Sequence, residues 1–132
     1  MLSITSSLLV MTALFNIVLA FFIFRKNWKE PVNTFFGLYL ISLSTWAIVL
    51  VGYQTAVSSE AAIYYGKAAY AAALLIGMSF YLFSVVFPEG KKPNSRMLIG
   101  VCAVPILYIL ALLEPTFLIE KITIHDWGKD VQ

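Results

Sequence analysis

The chain has 132 residues, 61% of them hydrophobic and only 12% charged, with a mean hydropathy of +0.86. Soluble domains carry about 25% charged residues, so this composition excludes an ordinary water-soluble fold and calls for lipid. A formal charge of +2 gives no electrostatic footprint for nucleic acid, and the single Cys102, set inside an apolar run, excludes an internal disulfide or a cysteine-based metal cluster.

A membrane helix takes about 20 mainly apolar residues, because the hydrocarbon core is about 30 Å thick and each residue rises about 1.5 Å. Four runs meet that requirement: ITSSLLVMTALFNIVLAFFIF over residues 4–24, FFGLYLISLSTWAIVLVGY over 35–53, IYYGKAAYAAALLIGMSFYLFSVVF over 63–87 and MLIGVCAVPILYILALLEPTFLI over 97–119. A polar tail occupies 120–132. The expected fold is therefore a single all-α transmembrane domain, an integral membrane four-helix bundle with short polar hinges. The first run is expected to be a retained helix rather than a cleaved signal peptide: MLSITSS carries no basic side chain, the run is too long, and Arg25, Lys26 and Lys29 follow it.

Lys and Arg are distributed unevenly over the hinges. The first hinge, RKNWKEPVN, holds Arg25, Lys26 and Lys29, and the third holds Lys91, Lys92 and Arg96; the second, QTAVSSEAA, holds none, and the tail holds Lys121 and Lys129. The positive-inside tendency places hinges one and three in the cytoplasm and both termini of the chain outside a cell membrane. FPEGKKPNSR over 87–96 then reads as a cytoplasmic turn, with Pro88 and Gly90 stopping the third helix and Pro93 resetting the chain. Trp28 and the Tyr64/Tyr65 pair fall near membrane surfaces, where amphipathic rings settle.

Within the third span Ala62, Gly66, Ala69, Ala73 and Gly77 recur every three or four residues, along one helix face. Such a stripe lets another helix come close, most simply inside the same chain and otherwise across a homodimer. Asn16 and Ser44 lie at similar depth in spans one and two and read as structural polar contacts between them. Charges in hydrocarbon are costly and usually partnered or hydrated. Lys67, about one turn inside the third span, and Glu114, near the same end of the fourth, are placed to form an ion pair or line a polar pocket; the simpler alternative is that each snorkels to the surface. Pro115 marks an expected bend beside Glu114. In the tail, His125, Asp126 and Asp130 are weak candidates for a metal and read as a hydrated surface. No phosphate-cradling glycine loop, HExxH or nucleophile-and-base arrangement occurs, so neither an enzyme active site nor a cofactor is expected.

The stretch PVNTFFGLYLISLSTWAIVLVGY resembles the second helix of the seven-helix module at the N-terminus of bacterial and archaeal sensor histidine kinases. It has an Asn and a Phe entering the helix, Asn33 and Phe36, and an aromatic-small step at Trp46 and Ala47. EAAIYYGKAAYAAALLIGMSFYLFSVVFPEG is similar to the third helix of that module, with Lys67, Tyr70, and the closing Phe87 and Pro88 before a basic turn. The likeness runs from about Leu8 to Ile119. It implies the first four helices of a signal-sensing module, without spans five to seven, a dimerisation histidine or ATP-binding boxes. The chain is then expected to be a fragment of a longer receptor or a small relative that works with a partner. On the sensor reading, an unidentified ligand shifts helix packing by preferring one arrangement, and Trp46, Tyr53, Lys67, Tyr70 and Glu114 are the candidate ligand-binding residues. Two other readings stand beside it. One is a non-catalytic subunit or assembly factor of a larger membrane complex. The other is a small proton-coupled transporter, which Asn16 in place of a carboxylate in the first span disfavours.

Overall fold

The computed structural model describes residues 3–112, and the backbone of Ile122–His125 and Gly128–Val131. Four helices follow one another: α1 over Ile4–Asn27, α2 over Pro31–Thr55, α3 over Ser59–Val86 and α4 over Ser95–Ala111. The first three are long and apolar enough to cross a membrane. Each extends beyond its apolar run into the neighbouring hinge. Hydrocarbon thickness sets the apolar length, whereas the caps set where the helix ends. Ser3 and Ser58 accept from the main-chain N–H groups of Ser6 and Ala61, Asn94 accepts from Arg96, and Pro31 occupies the first turn of α2, where its missing N–H costs nothing. The first hinge is thereby reduced to Trp28–Glu30.

That hinge is tied by side chains of α2. Asn33 Nδ2 donates to the Asn27 carbonyl at 3.0 Å and lies 3.3 Å from Glu30 Oε2, and Thr34 Oγ1 donates to the Trp28 carbonyl at 2.6 Å. The third hinge ends α3 as the sequence suggests. Gly90 takes φ +65°, a left-handed conformation that glycine adopts without penalty, and its N–H reaches the Val86 carbonyl at 2.8 Å. Hinges one and three share one end of the molecule, called the basic end below; the hinge Ala56–Ser58 and the start of α1 form the far end.

Among the described residues each helix meets no other helix than its sequence neighbours, in the order α1, α2, α3, α4. The four-helix, all-helical body is therefore an open row with α2 and α3 at its centre. Beyond it the backbone of Ile122–His125 (β1) pairs antiparallel with Gly128–Val131 (β2), with Ile122 opposite Val131 and His125 opposite Gly128, and β1 comes alongside α3. The buried residues are small or face a neighbour: Ala13 and Ala20 on α1; Gly37, Leu40, Ser42, Ser44 and Ala47 on α2; Ala62, Gly66, Ala72, Ser79, Leu82 and Val86 on α3. Large apolar side chains such as Phe15, Phe21, Phe22 and Ile48 are turned outward, as they are in a chain whose solvent is lipid.

The stripe expected along α3 divides. Ala62 and Gly66 are buried, while Ala73 and Gly77 are exposed. The packing face instead continues through Ala72, Ser79, Leu82 and Val86. The fourth run is helical over Ser95–Ala111, with Pro105 inside it. The expected bend at Pro115, the end of the run at 119, and Glu114 lie outside the described residues.

Candidate functional site

Three contacts hold α2 against α3, and a gap opens between them. At the far end Ala62 is fully buried against Tyr53, Ala56 and Ile63. Gly52 lies against the Tyr65 ring so closely that a Cβ there would come within 2.5 Å of it. At mid-depth Ser42 Oγ and Ser79 Oγ are 3.3 Å apart. Toward the basic end large rings interlock: Phe36 with Phe83 at 5.1 Å between centroids, and Tyr39 with Phe80 at 5.6 Å.

Between the far-end contact and the serine pair, α2 presents Trp46, Leu50 and Tyr53, spaced four and three apart and so on one face. Opposite them α3 presents Gly66, Ala69 and Ala73, with Tyr70 at the rim. Glycine and alanine are too small to fill the space that Trp46 and Leu50 hold open. The result is a groove of about 330 Å³, at the lower end of the range for small-molecule sites. Its walls are almost wholly apolar; the polar groups in the lining belong to Trp46, Tyr53 and Tyr70. Among the described residues no charged side chain lines it. Trp46 and Tyr53 are half-buried and Tyr70 is exposed.

Of the sequence candidates, the structure brings together Trp46, Tyr53 and Tyr70 in this one groove. Lys67 is half-buried on the same helix but is not part of the lining. Glu114, its expected partner, lies outside the described residues. Ser44 does join α1 to α2, but through main chain: its Oγ lies 3.1 Å from the Ala13 carbonyl and 2.9 Å from the Leu40 carbonyl. The small Ala13 lets α2 approach the α1 backbone, and Asn16, half-buried one turn along, is not the partner. A second link between these helices is Ser6 Oγ, which donates to Gln54 Oε1 at 2.7 Å. Among the described residues no cluster of three or more His, Cys, Asp or Glu is placed to hold a metal; Asp126 and the side chains of His125 and Asp130, the tail candidates, lie outside the described part.

Leu50, Gly66, Ala69 and Ala73 line the groove without being among the candidate residues of the sequence. The signal was there in the alanine-rich run after Gly66, but a small-residue stripe serves a close helix contact and a groove equally well. Only the residue opposite decides which. The Ser42–Ser79 and Ser6–Gln54 pairs were also unread, since serines are common in membrane helices and nothing in one sequence pairs them.

The sequence model of the N-terminal 7TM region of histidine kinase matches residues 8–128. No curated protein and no solved structure matches the chain.

Proposed function

The chain belongs to the N-terminal 7TM region of histidine kinases, a multi-pass membrane region, and from that premise we propose that it is a signal-sensing module whose ligand enters the α2–α3 groove. The observation that carries this reading is the groove itself: an aromatic wall facing a glycine-alanine floor, closed above and below by tight contacts. A cavity of that size and lining suits a flat, mainly apolar molecule of one or two rings, stacked on Trp46 and hydrogen-bonded by a tyrosine hydroxyl. Such a ligand prefers the arrangement in which α2 and α3 stand apart here, and it shifts the population toward that arrangement by its difference in affinity. Orientation follows from charge: the basic end, with Arg25, Lys26, Lys29, Lys91, Lys92 and Arg96, faces the cytoplasm of a cell membrane, and the groove lies in the outer half.

A second feature supports a place in a larger helical assembly. Adjoining the α2–α3 groove at Ala73, where α3 turns toward α4, Ala73, Gly77 and Tyr81 face Gly100, Val104 and Pro105 of α4 across a further groove of about 450 Å³. A Cβ added at Gly77 or Gly100 would meet nothing within 4 Å. Close helix approach at small residues is how membrane helices associate, so this surface suits another transmembrane helix.

The test uses bicyclic aromatic probes, indole and 2-naphthol, with the chain in nanodiscs. Spin labels at Ile48→Cys and Tyr64→Cys, in a Cys102→Ala background, report the α2–α3 spacing. A probe-dependent change in their distance distribution that disappears in Ala69→Leu is the expected result. Unchanged distances at saturating probe, or a change that persists with the groove filled, would sink the proposal.

A further inference from the structure

A second cleft, independent of the sensing groove, lies at the basic end. It has a volume of about 590 Å³ and is walled on one side by Trp28, Lys29 and Phe35 and on the other by Lys92, Ser95 and Leu98. Its two walls belong to parts of the chain that do not otherwise meet: among the described residues α4 packs on α3 alone, and neither α1 nor α2 touches it. Among the described residues no side chain fills the gap between the first hinge and the start of α4.

The lining is layered. Lys29 and Lys92 are exposed at the rim, and the rings and branched chains of Phe35, Pro31 and Leu98 form the depth. The local carboxylates are occupied elsewhere. Glu89 pairs with Lys91 at 2.9 Å, and Glu30 is engaged by Asn33 Nδ2 at 3.3 Å. Among the described residues Lys29 and Lys92 hold no ion pair. Two cations thus stand over an apolar slot at the level where the helices leave the hydrocarbon, beside a tryptophan that is 65% exposed. Basic pockets at this level are complementary to anionic headgroups, and the slot below them to an acyl chain.

We propose that this cleft holds one anionic glycerophospholipid from the leaflet at the basic end, its phosphate between Lys29 and Lys92 and an acyl chain along Phe35 and Leu98. The lipid bridges the first and third hinges and clips α4 to the α1–α2 pair.

The experiment reads Trp28 fluorescence in the chain carrying Trp46→Phe and Trp127→Phe, reconstituted in phosphatidylcholine nanodiscs. A minor share of the lipid is brominated phosphatidylglycerol in one sample and brominated phosphatidylcholine in the other. The expected result is enrichment of the anionic lipid at Trp28 on the order of tenfold, lost in Lys29→Ala/Lys92→Ala and retained in Lys26→Ala/Arg96→Ala, which removes equal charge outside the cleft. Equal quenching by the two lipids overturns the proposal. So does a preference that survives the first double variant or vanishes in the second, since either assigns it to general surface potential. Loss of the preference on adding inorganic phosphate also overturns the lipid assignment, leaving a site for soluble phosphate. Circular dichroism of both double variants, expected to match the parent, separates loss of binding from loss of fold.

Discussion

The two halves of the α2–α3 interface are built by the same pair of helices, yet one is closed and the other open. Toward the basic end Phe36, Tyr39, Phe80 and Phe83 interlock from both sides, and Leu82 and Val86 are almost fully buried beneath them. Toward the far end the α3 face is made mainly of small residues. Where Ala62 meets Tyr53 and Ala56, and Gly52 of α2 meets the Tyr65 ring, the helices touch; where Gly66, Ala69 and Ala73 meet Trp46 and Leu50, a groove remains. Closure thus depends on the summed volume of both faces at each level, and small residues on one face are compatible with either outcome.

Substitutions that change that volume break the comparison in different ways. The largest effect is expected from Leu82→Ala in the closed half, where the side chain is 2% exposed. A cavity there costs about 2 kcal/mol or more, lipid being a better alternative solvent for leucine than water; equilibrium unfolding in mixed micelles measures it. Leu50→Ala, a change of the same chemistry beside the groove, is expected to cost well under half as much, because its side chain already borders open space. Equal costs at the two positions would mean that the halves are packed alike.

Gly52→Val ranks next. The added side chain must displace the Tyr65 ring, for about 1–3 kcal/mol of overpacking, and thermal unfolding together with Tyr65→Ala shows whether shrinking the ring restores the loss. The Ser42–Ser79 pair is smaller. A double-mutant cycle to alanine is expected to give a coupling of about 0.6 kcal/mol, the usual size of such bonds between membrane helices, and zero coupling would remove the serine pair as a contact that closes the groove at mid-depth. Ala69→Leu is expected to leave stability nearly unchanged, since it fills existing space, while abolishing the response to indole and 2-naphthol. A large destabilisation would show that the groove is closed in the folded chain.

Much of the architecture was legible before any coordinates. Run length and hydropathy determined that the first three segments span a membrane as helices, because twenty apolar residues have no other way to satisfy their backbone in lipid. Turn chemistry at Pro88 and Gly90 and the polar residues before each run located the hinges. Asn33 and Phe36, noticed only as a pattern of resemblance, acquire a physical role in the structure: one ties the first hinge and the other packs on Phe83. For the candidate site the sequence named Trp46, Tyr53, Lys67, Tyr70 and Glu114; the first two and Tyr70 line the groove, Lys67 does not, and Glu114 lies outside the described residues.

What it could not decide was which surfaces meet. The α3 stripe from Ala62 to Gly77 is continuous in spacing, yet it is buried at Ala62 and Gly66 and exposed at Ala73 and Gly77. Ser44 found a main-chain carbonyl where a side chain was expected, since the distance of approach set by Ala13 is a property of two helices together. The cleft between Lys29 and Lys92 joins residues more than sixty positions apart. Periodicity and composition act along one helix and are written locally in the chain; grooves and bridging pairs depend on how far apart two backbones come to rest, and that distance is decided by packing in three dimensions.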